Sequence, residues 1–252
     1  MPLSYGSTTV DGILFDLDDV LVPFTTPAAW QWAWRPQGPL LGERRVRAAV
    51  RRAVRAWDRR RWRGLTGREP PADVAALEGY LRDTLFAIAG HGLPEAEATA
   101  VVRRLLHPSG EIERFRDVAA ALARLAAAQV RVGIVTPLPA ASAEWLVRRT
   151  GLDPRGLRVT GDSPSALPDR AAFLAAAAGL ELPAERVAFV GDLFWSDVRA
   201  AARAGLPAVL LDRHDAWPKV VGGRCTTLDA LEATLAAGPV LGAADEAHDA
   251  EA

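Results

Sequence analysis

The stretch Ile13-Leu14-Phe15-Asp16-Leu17-Asp18-Asp19-Val20-Leu21 decides how this chain is read. Val10, Ile13, Leu14 and Phe15 form a short apolar run of the kind that makes a strand buried on both faces, and the run stops at carboxylates. Side chains alternate along an extended segment, so Asp16 and Asp18 project to the same side, about 7 Å apart along the chain. Asp19 need not join them. Like charges held that close repel, which makes sense if a cation sits between them or one carboxyl keeps its proton.

Downstream, Thr26 and Pro27 read as the cap and first turn of a helix. Apolar residues then recur at helical spacing: Val46, Val50, Val54 and Trp57; Val74, Leu77, Leu81, Leu85 and Ile88; Ala98, Val101, Leu105 and Leu106. Residues 27 to 108 are therefore expected to be all-helical. Beyond them the texture alternates. Helices around Phe115–Leu125, 140–150, Phe173–Ala177, Val198–Ala202 and Leu228–Leu235 separate strands at Val130–Val135, Leu157–Thr160, Val187–Val190 and Pro207–Leu211. Such alternation implies right-handed crossovers and a doubly wound parallel sheet, with ligands bound outside the carboxyl ends of the strands. Asp16, Thr136 and Asp192 each stand at that end of an expected strand. The expected organisation is an α/β core from 1–24 and 109–237, a helical cap from 25–108, and a disordered acidic tail from 238–252.

The chain is 252 residues with a formal net charge of −1, which points to neither a nucleic-acid binder nor a membrane-surface protein. No stretch approaches the roughly 20 uninterrupted apolar residues of a membrane span, no secretion signal is visible, and a lone Cys225 fits a reducing compartment. A cytoplasmic location is expected. Arginine crowds residues 44 to 63, and Lys219 is the only lysine. Arg44, Arg47, Arg51 and Arg55 read either as a solvated helix face or as cations reaching over the site toward an acidic substrate. Trp30, Trp32, Trp34, Trp57 and Trp62 read as cap core and interface, whereas Trp195 lies between Gly191 and Asp197 and is a candidate for lining the substrate pocket. His91, His107, His214 and His248 show no ligand spacing.

Three motifs in order carry a family resemblance: Asp16-Leu17-Asp18-Asp19-Val20-Leu21, the strand Val132-Gly133-Ile134-Val135 ending in Thr136, and Gly191-Asp192 followed by Asp197. Over about residues 10 to 236 the sequence resembles the haloacid dehalogenase superfamily hydrolases, in the subgroup whose helical cap follows the first strand. The resemblance implies that Asp16 is a nucleophile taking up a phosphoryl group and that Asp18 is the acid that protonates the leaving oxygen and then activates water. It further implies Mg²⁺ held by Asp16, the Asp18 backbone carbonyl and Asp192, with Asp197 close by, and Thr136 in contact with phosphate. Magnesium's preference for hard oxygen ligands agrees. A dehalogenase reading is weaker, because that branch usually lacks the residue corresponding to Asp18.

Two positions depart from the pattern. Leu167 stands where the family's phosphate-binding lysine should be, so any cation there must be an arginine, with Arg170 and Arg158 nearest by sequence. Pro137 follows Thr136 and has no N–H to offer a phosphate. The expectation is a Mg²⁺-dependent phosphomonoester hydrolase acting on a small phosphorylated substrate, without nucleic-acid or membrane partners, as a monomer or homodimer. The alternatives are an impaired member serving as a binding or regulatory module, and a phosphosugar mutase.

Overall fold

The computed structural model describes residues 3–23, 26–38, 42–65, 74–90, 92–106, 114–136, 143–144, 147–148, 152, 158–159, 169–239 and 241–242. Pro137, Leu167, His91, His107, His248 and the side chain of Arg158 lie outside the described residues.

The strands are β1 (Leu3–Tyr5), β2 (Thr8–Val10), β3 (Gly12–Phe15), β4 (Arg131–Ile134), β5 (Arg158–Val159), β6 (Val187–Gly191), β7 (Ala208–Leu211), β8 (Val220–Val221), β9 (Arg224–Cys225) and β10 (Leu241–Gly242). Six of them form one parallel sheet in the order β5-β4-β3-β6-β7-β9. The chain starts at β3, builds outward through β4 and β5, then returns to the other side of β3 with β6. That reversal places the end of β3 at the topological switch point of the sheet.

Alternation along β3 explains why it sits in the middle. Ile13 and Phe15 pack on one face with Ala188, Val190, Val209 and Leu211. Leu14 packs on the other with Val187, Phe189, Phe173 and Leu210. All three are essentially fully buried, each contributing about 1.5–3 kcal/mol of apolar burial. Val10 belongs instead to β2, which pairs antiparallel with β1, so the apolar run is split by Asp11. Helix Arg170–Gly179 buries Ala172, Phe173, Ala176 and Ala177 against this second face.

Between β3 and the return to the sheet lie helices α1 (Pro27–Trp34), α2 (Glu43–Leu65), α3 (Val74–Ala89) and α4 (Glu95–Leu106), and then α5 (Arg116–Ala127) leads into β4. Thr26 caps α1 as its sequence suggests, its hydroxyl accepting the Ala29 N–H at 3.1 Å. Trp30, Val46, Val50, Val54, Leu81, Leu85, Ile88, Val101 and Leu105 make a separate cap core that reaches Leu193 and Ala216 of the α/β unit. The fold is therefore a parallel α/β sheet carrying a helical cap.

Three elements differ in detail from the sequence reading. The helix around Val198 begins as a π-helical turn, Phe194–Arg199, before continuing through Ala200–Arg203. The final helix starts at Leu231 after a 3-10 turn, Leu228–Ala230. At the expected disordered tail, Leu241–Gly242 pairs antiparallel with β8, a backbone ladder between Leu241 and Val221 and between Gly242 and Val220 that composition alone does not reveal; residues 243–252 lie outside the described residues.

Candidate active site

Register alone assembles the site. Phe15 is level with Ile134 on one side and Val190 on the other. Asp16 stands one residue beyond Phe15, Thr136 two beyond Ile134, and Asp192 two beyond Val190. With strands about 4.8 Å apart, all three emerge at one rim. The Asp16 N–H donates to the Val190 carbonyl at 2.9 Å, which holds the end of β3 against β6. Thr136 is 3% exposed and Asp16 5%.

Asp197 arrives from the π-helical turn. Its Oδ2 accepts the Leu193 N–H at 3.1 Å, and its side chain packs directly over Gly191. A Cβ on Gly191 would lie 2.6 Å from the Asp197 Cβ and Oδ2, so only glycine admits this approach. Carboxylate oxygens of Asp16, Asp192 and Asp197 thereby come within 4.8 Å of one another. Two residues beyond Asp16, the Asp18 backbone bridges to Val22, while Asp19 turns the chain at φ 54°, a left-handed conformation that aspartate tolerates.

The cap closes over this rim through α2. Val46, Val50 and Val54 form its buried stripe, and the same stripe continues into Asp58 and Arg61, which are 0% and 8% exposed. Asp58 accepts two backbone N–H bonds, from Trp195 at 2.8 Å and Ser196 at 2.7 Å, at the start of the turn that carries Asp197. One helical turn on, Arg61 Nη1 reaches Asp197 Oδ1 at 3.6 Å. Trp62 then packs against Trp195 at 5.7 Å, with the Arg203 guanidinium over the Trp62 ring at 5.2 Å.

The electrostatics are those of crowded acids. Burial lifts the Asp16 carboxyl well above its ordinary range, and Asp197 and Asp18 push the same way, against Arg61 and the Leu17 N–H. Asp192 is lifted by burial, then by Asp197, Asp19, Asp16 and Asp58. Asp197 is raised by burial, against Arg61 and the N–H groups of Leu193 and Asp192. Burial and the neighbouring Asp19 bring Asp18 to about 7. Asp18 Oδ1 and Asp197 Oδ1 are buried without a hydrogen-bond partner. Hard oxygen donors, mutual repulsion and orphaned lone pairs together fit a divalent cation.

The sequence profile of haloacid dehalogenase-like hydrolases matches residues 10–205. The chain belongs to that family. No curated protein sequence matches this hydrolase. Among solved structures, a dehalogenase with an intermediate complex aligns with a TM-score of 0.62 and 19% identity, over 90% of this chain and 97% of the other. YfnB from Bacillus subtilis, described as a HAD hydrolase and bound to magnesium, aligns with a TM-score of 0.61 and 19% identity, over 92% and 99%. A predicted phosphoglycolate phosphatase from Haemophilus somnus 129PT aligns with a TM-score of 0.52 and 20% identity, over 82% and 87%. At these identities the likeness is one of fold.

Of the residues singled out from the hydrolase's sequence, Asp16, Asp192 and Asp197 meet, and Asp18 and Thr136 lie beside them on adjoining segments. Arg170 does not join them in any described interaction: it is exposed at the first position of its helix, after Asp169, whose carboxylate caps the Ala171 N–H. Of the arginines named on α2, Arg47 and Arg51 are engaged elsewhere. Arg47 pairs with Glu43 on the exposed face, and Arg51 donates to the His214 carbonyl at 2.8 Å. Arg61 and Asp58 were not legible as site residues from periodicity, although a signal was there: two charged residues continue an apolar stripe. Trp195, the candidate for lining the pocket, is half-buried, with Trp62 at 5.7 Å and Phe194 at 5.0 Å between ring centroids.

Proposed function

We propose that this hydrolase is a Mg²⁺-dependent phosphatase of small anionic phosphomonoesters, working through an aspartyl-phosphate on Asp16. The observation that carries the reading is the convergence of the Asp16, Asp192 and Asp197 carboxylates, with Asp18 two residues beyond Asp16; burial and the neighbouring Asp19 push the Asp18 carboxyl up to about 7. Asp16, Asp192 and Asp197, with the backbone carbonyl of Asp18, would hold the ion. Bound there, Mg²⁺ neutralises the repulsion between carboxylate and phosphate and stabilises charge on the transferring group.

The chain's own groups perform the proton and bond changes. The Asp16 carboxylate attacks phosphorus as the ester P–O bond breaks, and the Asp18 carboxyl gives its proton to the departing alkoxide. Asp18, now ionised, takes a proton from a water that attacks the phosphorus of the aspartyl-phosphate. Inorganic phosphate leaves, and Asp16 is regenerated. A carboxyl near 7 suits both halves of that cycle at neutral pH. Thr136, buried two residues beyond β4, would donate its hydroxyl to a phosphoryl oxygen in this reading. The cap, closed through α2, keeps bulk water away from the acyl phosphate.

The test is hydrolysis of p-nitrophenyl phosphate with Mg²⁺ and with EDTA, beside Asp16→Asn. Metal-dependent turnover should fall on the order of 10⁴-fold or more in the variant. An unaffected variant, or no metal-dependent turnover on a panel of phosphate esters, would remove the claim.

A further inference from the structure

The family's lysine position holds Leu167, yet the rim is not without a cation. Arg61 is delivered by the cap helix into the acid cluster, 92% buried by its 8% exposure. Among the described residues its ion-pair contact is with Asp197 Oδ1 at 3.6 Å, too long for a hydrogen bond. Arg61 Nη2 is buried with no hydrogen-bond partner among the described residues. A buried guanidinium N–H left unsatisfied is destabilising, and a native site that keeps one calls for an acceptor that arrives with a ligand. Asp197 has the counterpart defect, an unpartnered Oδ1.

We infer that Arg61 is a catalytic residue that binds an oxygen of the transferring phosphoryl group, standing in from the cap for the absent lysine, and that Asp58 is the residue that positions it. The inference rests on the phosphatase reading for the identity of the anion. A guanidinium offers a planar pair of N–H donors suited to two phosphoryl oxygens, so a long, cap-borne arginine can reach where a shorter side chain from the core does not exist. The positioning follows from helix geometry. Asp58 and Arg61 are three residues apart and share one face. Asp58 grips the backbone of Trp195 and Ser196, the residues immediately before Asp197, so the register of α2 against that turn fixes where Arg61 lands. The cation is thus present only when the cap is docked, and closure and charge delivery are one event.

The experiment uses the full chain with Mg²⁺ and two readouts: binding of orthovanadate followed by tryptophan fluorescence, and turnover of p-nitrophenyl phosphate. Arg61→Ala should weaken vanadate binding and lower kcat by about 100-fold or more, with partial recovery on adding free guanidinium. Arg61→Lys should keep most of the anion affinity with a smaller loss of rate, and Arg61→Gln serves if the alanine variant does not fold. Asp58→Ala should lower kcat, and its loss should not add to that of Arg61→Ala in the double variant. Vanadate affinity and turnover unchanged in a folded Arg61 variant would overturn the role of Arg61 while leaving the phosphatase reading intact. Additive losses in the double variant would overturn the positioning role of Asp58. Wild-type protein that binds vanadate through Arg61 but turns over no ester would remove the phosphatase reading and support the anion-binding one.

Discussion

Two groups of carboxylates occupy the same rim of the sheet and are treated in opposite ways. Asp212, at the end of β7, is 2% exposed and fully engaged: it accepts N–H bonds from Ala216 at 2.7 Å and Trp217 at 2.8 Å, and the Arg224 Nε at 3.0 Å. Nearby, Asp117 takes both arms of the Arg213 guanidinium, at 2.9 and 3.0 Å, and the Leu228 N–H at 2.7 Å. Although burial alone would raise it, these partners hold the Asp117 carboxyl below its ordinary value. Asp16, Asp18, Asp192 and Asp197 are instead raised, crowded against one another with few donors and one distant guanidinium. A strand-end carboxylate whose hydrogen bonds the chain supplies is thus distinguished from one whose bonds it withholds. Under the proposed function, the withheld bonds are the ones a metal or substrate would complete.

The sharpest way to break this contrast is at Asp212. Asp212→Ala leaves the Ala216 and Trp217 N–H groups without their acceptor and the Arg224 guanidinium with Asp215 alone, and should cost about 2–4 kcal/mol in denaturant unfolding while leaving turnover per folded molecule close to wild type. A large loss of activity without a loss of stability would place Asp212 in the site. Gly191→Ala tests the approach of Asp197: the added methyl must push Asp197 away, at about 1–3 kcal/mol of overpacking strain, and should weaken Mg²⁺ affinity measured by calorimetry. Unchanged affinity would show that Asp197 is not a ligand.

The withheld bonds also predict a pH dependence. An acid that holds its proton more tightly when folded lends stability that is complete at low pH and is lost as pH rises through the folded value. For Asp18 and Asp58 that window runs from the ordinary 3.8 up to about 7. The metal-free protein should therefore melt at a lower temperature at pH 8 than at pH 5, by about 2–4 °C for each kcal/mol lost. Mg²⁺ should restore the difference at pH 8, and Asp192→Asn should raise the metal-free melting temperature because it removes a charge repelled by Asp197, Asp19 and Asp16. A melting temperature that rises with pH would contradict the crowding. The smallest effect belongs to Arg47→Ala on the exposed side of α2, where a pair that is 60% and 71% exposed should contribute within about 0.5 kcal/mol and nothing to turnover.

Much of this was legible in order along the chain. Local chemistry writes strands as apolar runs and helices as apolar stripes, so β3, β4, β6 and β7, the cap helices and the strand-end residues Asp16, Thr136 and Asp192 follow from periods of 2 and 3.6. Asp212 shows the limit of that reading, since it too ends a strand and only its partners reveal its structural role. Arg61 shows the other limit. In sequence it is one arginine among many between 44 and 63, and the nearest-neighbour logic of the motif points to Arg170, which is exposed on its own helix.

The sequence by itself determined the family, the parallel α/β sheet with its helical cap, and the acids that gather at the rim, because each is encoded by residue type at fixed local spacing. Only the tertiary structure decided which cation reaches them. That choice depends on how α2 docks through Asp58 onto the turn before Asp197, a contact between residues 137 and 138 positions apart that no local pattern specifies.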